Sequence, residues 1–407
     1  LSTDGTANGT VVLKVNAGWV RAGTAVIPSM PVMGGVALFV AAPESGEGDL
    51  ELWATDGTPE GTRLLRPSFG RPASSTSREI TEIEVVSDTL SVFVAHAPEH
   101  GWELWRTDGT AAGTVMVRDL HPTASAFAQG VGELTVAGNL VYFVANDGVT
   151  GAELWRSDGT AVGTWVVADL DPRMDAGTAA PLGSSPQPVT AVGRDVMFVA
   201  TLPTTGRELY RTFDGGARAA KVHDTVAGSA SLPVFVHGAI GDRVLFTANG
   251  SGVGVELWVS EPDADTARLV ADLWPGPTDS SPQFEPRVGD RMLFRYATNP
   301  PSLGLLSTDG SLESTDVLSP PGEPLSGFGY DILRVIERPD GQILMFAQVD
   351  NSTAALFRTD GSPRNTHEVA RLPLAAVQRG GIWRTDASTT LPDGSSTFFV
   401  GDNANRV

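Results

Sequence analysis

Short runs of alternating apolar and polar residues, each closed by Gly, Asp, Asn or Pro, fill the chain. One clear instance reads LTVAG, LVYFVAN, ELWRSDG and TWVVADL between Leu134 and Leu170. Val, Phe, Tyr and Trp dominate the runs, and a period of two interrupted by turn residues predicts four short antiparallel strands. No segment carries an amphipathic helical period of useful length.

The four-strand unit recurs. ELWRSDGTAVGTWVVADLDP at Glu153 has near copies at Glu103 and Glu51, and weaker ones at Glu208, Glu256, Leu305 and Leu356. The chain also opens inside a copy, LSTDGTANGTVVLKV. The Trp column falls at Leu1, Trp53, Trp105, Trp155, Tyr210, Trp258, Leu306 and Phe357, a period of about 51 residues. Repeats of this length are solenoids or propellers, and four antiparallel strands per unit make a propeller blade. The reading is therefore all-β: an eight-bladed β-propeller of four-stranded antiparallel blades in one domain, residues 1–407. Blades are expected at about 19–66, 67–119, 120–170, 171–225, 226–273, 274–318 and 319–372, and the last joins 373–407 to 1–18. The C-terminal TFFVGDNANRV matches a second strand and the approach to a third, and the N-terminal LSTDGT then VVLKV matches a third strand's end and a fourth. The termini are thus expected to share the last blade and close the ring, which removes an exposed sheet edge. Within each unit, the Trp column and the Phe column (Phe39, Phe93, Phe143, Phe198, Phe246, Phe294, Phe346, Phe399) are expected between blades.

Composition narrows the partners. The net charge of −20 disfavours nucleic acid and anionic membranes, both of which need a basic face. No apolar run reaches 18 residues, so no membrane insertion is expected. Cysteine is absent, which removes disulfides, thiolate metal sites and Cys nucleophiles. The first residue is Leu rather than Met, consistent with a signal peptide already removed.

The phrase ELW-x-S/T-DGT-x-x-GT at Glu51, Glu103 and Glu153 resembles the bacterial ELWxxDGT repeat family, and its degenerate copies extend the likeness along the whole chain. The resemblance implies a propeller-like array in a secreted or surface-held protein and brings no catalytic residues with it. Later blades depart from it: the motif Glu becomes Gly304, Ala355 and Arg406.

Residues that recur in every blade are expected to hold the fold. These are the motif Glu (Glu51, Glu103, Glu153, Glu208, Glu256), the turn Asp (Asp4, Asp56, Asp108, Asp158, Asp309, Asp360) and the fourth-strand Asp (Asp119, Asp169, Asp224, Asp272). Blade-specific residues are the candidates for function. Counting four residues back from the Gly that ends each first strand gives His237, Glu285 and Glu337 in three consecutive blades, with Arg287 and Arg338 nearby. At one level of a channel wall, a His and two carboxylates suit a divalent metal or the acid and base of glycosidic chemistry. The alternative is a solvated wall. Phe69, Phe328 and Tyr330 in long interblade connections are candidate stacking residues for a sugar or peptide, or packing against neighbouring blades. Asp263 and Asp265 are candidate Ca²⁺ ligands, although DADT does not reproduce an EF-hand string. His96 and His100 flank a loop and form another possible chelate. No cofactor is required by this reading, and Ca²⁺ or another divalent metal is the one to test. The functional expectation is a binding or scaffolding propeller, secreted or surface-held, recognising a protein or glycan through its interblade loops. The alternative is a polysaccharide hydrolase or lyase with its site at the channel mouth.

Overall fold

A computed structural model describes residues 6, 9–13, 30–43, 49–70, 80–127, 133–223, 234–250, 252–261, 267–298, 302–318, 331–337, 342–348, 352–373, 388–390 and 396–398. Almost all regular structure among them is antiparallel strand, and the chain divides into two compact units, Leu1–Lys221 and Val222–Val407.

The first unit holds four sheets, each with its strands paired in sequence order. They are β1 (Val32–Met33), β2 (Val36–Ala41), β3 (Glu51–Thr55) and β4 (Arg63–Arg66); then β5 (Ile80–Ser87), β6 (Leu90–Ala97), β7 (Gly101–Thr107) and β8 (Val115–Arg118). The third is β9 (Thr135–Ala137), β10 (Leu140–Asn146), β11 (Ala152–Ser157) and β12 (Trp165–Val166). The fourth is β13 (Gln187–Val192), β14 (Asp195–Leu202), β15 (Gly206–Phe213) and β16 (Arg218–His223). The second unit continues with β17 (Phe235–Ile240), β18 (Arg243–Gly250), β19 (Gly254–Ser260) and β20 (Ala267–Ala271), and with β21 (Gln283–Val288), β22 (Arg291–Thr298), β23 (Ser302–Thr308) and β24 (Asp316–Val317). Its third sheet is β25 (Asp331–Glu337), β26 (Ile343–Gln348), β27 (Thr353–Thr359) and β28 (His367–Pro373), and β29 (Ser388–Thr390) and β30 (Ser396–Phe398) form a two-stranded hairpin. The repeat read from the sequence is thus a four-stranded antiparallel sheet of the propeller-blade type. Leu1 and the residues after Phe398 lie outside the described residues.

Alternation on each strand sends one set of side chains to the preceding sheet and the other to the next. In the first unit, Leu38 and Leu52 pack with Phe93 and Trp105, then Val92 and Leu104 with Phe143 and Trp155, then Tyr142 and Leu154 with Phe198 and Tyr210. In the second, Leu245 and Leu257 pack with Phe294 and Leu306, and Leu293 and Leu305 with Met345 and Phe357. The Phe column is buried at Phe39, Phe93, Phe143, Phe198, Phe246 and Phe294. Each such ring contributes about 1.5–3 kcal/mol by leaving water. Within each unit these cores therefore lie between consecutive sheets.

The motif's polar letters close the turn between third and fourth strands. Asp56 Oδ1 accepts the Thr58 N–H at 2.9 Å and its hydroxyl at 2.7 Å, and Thr58 Oγ1 accepts the Gly61 N–H at 3.0 Å. The Thr62 hydroxyl donates to the Thr58 carbonyl and lies 2.7 Å from Thr55 Oγ1 across the strand pair. The same bonds recur around Asp108 and Asp158. Gly57 turns the chain at φ +92°. Gly61 is glycine for another reason: a Cβ there would lie 2.0 Å from Asp56 Oδ1.

The motif Glu fixes the connection to the next sheet. Glu153 is fully buried; Oε1 accepts the N–H of Asp171 at 3.1 Å and of Ser184 at 2.9 Å, and Oε2 the Ser184 hydroxyl at 2.5 Å. Glu256 does the same with Leu273 and Ser280, and Glu103 accepts the Leu120 N–H at 3.0 Å. A loop that crosses between sheets would otherwise bury unpaired N–H groups.

Candidate functional site

The three candidates placed at one level by counting do not share a level. Their register, anchored on the third strands, separates them. His237 is an extra residue in a β-bulge, between Val236, which pairs with Phe246, and Gly238, which pairs with Leu245. Glu285 pairs with Leu293, the counterpart of Leu245, so it stands where Gly238 stands. Glu337 pairs with Ile343, the counterpart of Val244 and Met292, so it stands where Ala239 and Arg287 stand. Bulge position separates His237 from Glu285, since the extra residue is His237 itself in β17 and Pro286 in β21, and loop length displaces Glu337. Two residues join β17 to β18 and β21 to β22, whereas five lie between Glu337 and Ile343, so the same count reaches a different rung. Glu285 faces a partner of its own, with Arg295 Nε 3.3 Å from Oε1.

What forms at the seam of the β17–β20 and β21–β24 sheets is an aromatic cluster with a histidine in it. Gly238, at φ +145°, follows His237 through the bulge, a conformation closed to residues with a side chain. The imidazole stacks on Phe284, centroids 6.4 Å apart with the planes at 24°, and meets the edge of Phe294 at 5.1 Å. Phe294 is fully buried; Phe284 is 43% exposed, and Phe235, at the start of β17, is 60% exposed. His237 Nε2 bonds Thr247 Oγ1, and Thr247 donates in turn to the Pro282 carbonyl at 3.3 Å. With the hydroxyl proton directed at Pro282, Nε2 carries the imidazole hydrogen and Nδ1 is left as a bare acceptor. Nδ1 has no hydrogen-bond partner among the described residues. Burial pushes the His237 pKa down to about 4, so the ring is neutral above that pH.

The other candidates fall elsewhere. Phe69 is not a surface aromatic. It is 1% exposed, edge-on to Phe93 at 5.7 Å and to Trp105 at 5.2 Å, and belongs to the core between the first two sheets. Arg287 is exposed, with Nε on the Gly289 carbonyl at 2.7 Å and Nη1 3.4 Å from the Ala239 carbonyl of the preceding sheet. His96 and His100 do not converge: one bonds the Gly70 carbonyl at 2.7 Å, the other Asp119 at 2.8 Å. Phe328, Tyr330, Arg338, Asp263 and Asp265 lie outside the described residues, and of Glu337 only the backbone is described. The described residues hold no group of three or more His, Asp or Glu placed to share a metal ion.

Burial also acts on the motif carboxylates. Glu103 is pushed up to about 7, first by burial and further by the charge of Asp119, against the Leu120 N–H that lowers it. Glu153 and Glu256 are raised for the same first reason. The turn Asp groups move the other way. Asp56 and Asp108 are lowered chiefly by the Thr hydroxyls they accept; at Asp309, bonds from Ser314 and Ser311 outweigh burial and bring it to about 2.

A set of arginines escaped the sequence reading. Arg63 Nε donates to the Gly109 carbonyl at 2.8 Å, Arg106 to Gly159 at 3.2 Å, Arg156 to Gly215 at 2.5 Å, and Arg268 to Gly310. Each clasps the turn of the following sheet. Arg106 and Arg156 sit on third strands, Arg63 and Arg268 on fourth strands at the paired positions (Ala54↔Arg63, Arg106↔Val115, Arg156↔Trp165, Val259↔Arg268). The signal in the sequence was one Arg per pair, visible only once the strands are registered.

No family model and no curated protein matches the chain. Among solved structures, it is similar over 84% of its length to the β-propeller domain of the Trilobed protease from Pyrococcus furiosus, at 11% identity and a TM-score of 0.35, covering 95% of that chain. A structure from a study of two prolyl endopeptidases matches 90% of this chain at 10% identity and a TM-score of 0.37, and Pyrococcus horikoshii acylaminoacyl peptidase matches 83% at 11% and 0.33. This chain spans about half the length of those two, 53% and 50%. At these scores the likenesses carry no argument about activity.

Proposed function

We propose that the chain is a binding or scaffolding propeller that recognises a protein or glycan, secreted or held at a cell surface like the ELWxxDGT repeat proteins it resembles. In this reading it has eight blades, with strands from both termini completing the last. One observation carries it: the polar residues that recur from blade to blade are engaged in the fold itself, in turns within a blade and in connections between blades. Asp56, Asp108 and Asp158 cap their own turns, and Glu153 and Glu256 satisfy buried N–H groups of the interblade connections. Recognition then falls to blade-specific residues on a rigid frame.

The test is a binding screen of the purified chain on immobilised glycans and proteins, with and without EDTA, alongside a reducing-end and unsaturated-product assay on polysaccharides. Binding without turnover, unchanged by EDTA, is expected. Turnover would move the assignment to a hydrolase or lyase, and loss of binding in EDTA would add a divalent ion to the site.

A further inference from the structure

We infer that the aromatic seam formed by Phe235, His237, Phe284 and Phe294 is a sugar-binding site that stacks one ring of a neutral oligosaccharide on Phe284 and accepts one of its hydroxyls at His237 Nδ1; this rests on the binding reading above. Three observations select the ligand. First, Phe284 is partly exposed and is held in place by the near-parallel, offset imidazole and by the buried Phe294, which it meets edge to face at 6.0 Å. A pyranose presents its axial C–H groups to an aromatic face, and a ring so held keeps its orientation when the ligand arrives. Second, His237 Nδ1 beside that ring has no hydrogen-bond partner among the described residues. In the tautomer in which Thr247 gives its proton to the Pro282 carbonyl, the ring hydrogen is on Nε2 and Nδ1 pairs with a donor such as a hydroxyl, and the ¹⁵N shifts recorded below read that tautomer directly. Third, the nearest charged groups of the β21–β24 sheet already have partners. Arg295 lies 3.3 Å from Glu285 and from Gln283, and the exposed Arg287 stands two residues beyond Glu285 along β21, held on the Gly289 and Ala239 carbonyls. The low pKa of His237 agrees with this, since the ring stays an uncharged acceptor across the neutral range.

The bulge is what makes the site. The extra residue and Gly238 turn His237 onto the next sheet's rings, whereas the β21 bulge, between Glu285 and Arg287, falls one rung away and takes Pro286 as its extra residue. The β13 bulge stands at the same rung with Val189 as its extra residue, so what is particular to this blade is the histidine in the bulge, the Gly238 that follows it and the facing Phe284.

The experiment titrates the intact chain with cellohexaose, mannohexaose and xylohexaose as neutral probes, hexagalacturonate as the anionic arm and a proline-rich peptide as the protein arm. Imidazole ¹⁵N shifts of His237 are recorded throughout. At least one neutral hexasaccharide is expected to bind and to move the Nδ1 resonance. Phe284→Ala is expected to weaken that binding at least tenfold with the melting temperature held, and His237→Phe to weaken it while preserving the stack. If wild-type binding to a neutral saccharide survives Phe284→Ala undiminished, the seam assignment falls and the binding function stands. Binding at the seam of only the anionic or peptide probe overturns the ligand class. If no probe binds and the broader glycan and protein screen is also empty, both readings fall together.

Discussion

Both oxygens of Glu153 accept bonds from Asp171 and Ser184, and Glu256 repeats the arrangement with Leu273 and Ser280. Glu103, with the Leu120 N–H, is raised to about 7 from an ordinary 4.5. A carboxyl whose folded pKa is raised binds its proton more tightly in the native state. Its contribution to stability is fully present below pH 4.5 and is lost as pH climbs through about 7. The turn Asp groups act in the opposite sense. Their contribution is present above 3.8 and is lost as pH falls, toward about 2 for Asp309. The chain is therefore expected to lose stability below about 3.5, and between pH 5 and 8 the loss from Glu103 is offset by His237, whose contribution is present above 6.5 and is lost as pH falls through about 4. A calorimetric melt at each pH checks this, and Glu103→Gln should remove the loss that Glu103 brings. The turn Asp could be read from sequence because its partners lie two residues away. The partners of Glu153 lie 18 and 31 residues away, so its position was legible and its bonds were not. Phe69 was misplaced for a related reason: a loop position does not say whether a ring points out or into a core.

At the scale of strands, alternation and turn residues located the four-stranded units, because period two and positive-φ glycines leave marks in a single unit. Bulges leave no such mark. One inserted residue keeps the composition of β17 and moves His237 off the ladder, and a loop longer by three residues shifts Glu337 by a rung, so counting back from a glycine could not align the three candidates. Pairwise register also exposes the arginine clasp. Arg63 on β4 faces Ala54 on β3, while on the next sheet Arg106 on β7 faces Val115 on β8, and both reach a turn carbonyl of the following sheet. Position along the chain changes and the bond is conserved. Arg63→Ala is expected to destabilise by about 1–2 kcal/mol through the lost charge-assisted bond to Gly109. Moving the guanidinium across the strand pair, Ala54→Arg with Arg63→Val, is expected to restore more than half of that. Urea unfolding of the wild type, Ala54→Arg, Arg63→Val and the double variant, read as a double-mutant cycle, measures the coupling.

On the scale of the molecule, stacked cores between consecutive sheets explain why the repeat needs many copies: a sheet alone leaves a greasy face in water. The recurring four-stranded unit was legible in the sequence and stands among the described residues as seven such sheets and a hairpin, while the closed eight-bladed ring is the proposal built on it. In the proposed reading the motif residues hold the frame and the aromatic seam, an exception to the repeat, supplies the site. Small-angle X-ray scattering in dilute solution tests the ring most directly. A closed, single-domain propeller of this length is expected to give a radius of gyration of about 22 Å and a symmetric distance distribution. A value above about 30 Å with a long tail in that distribution would mean an open superhelix and contradict the account.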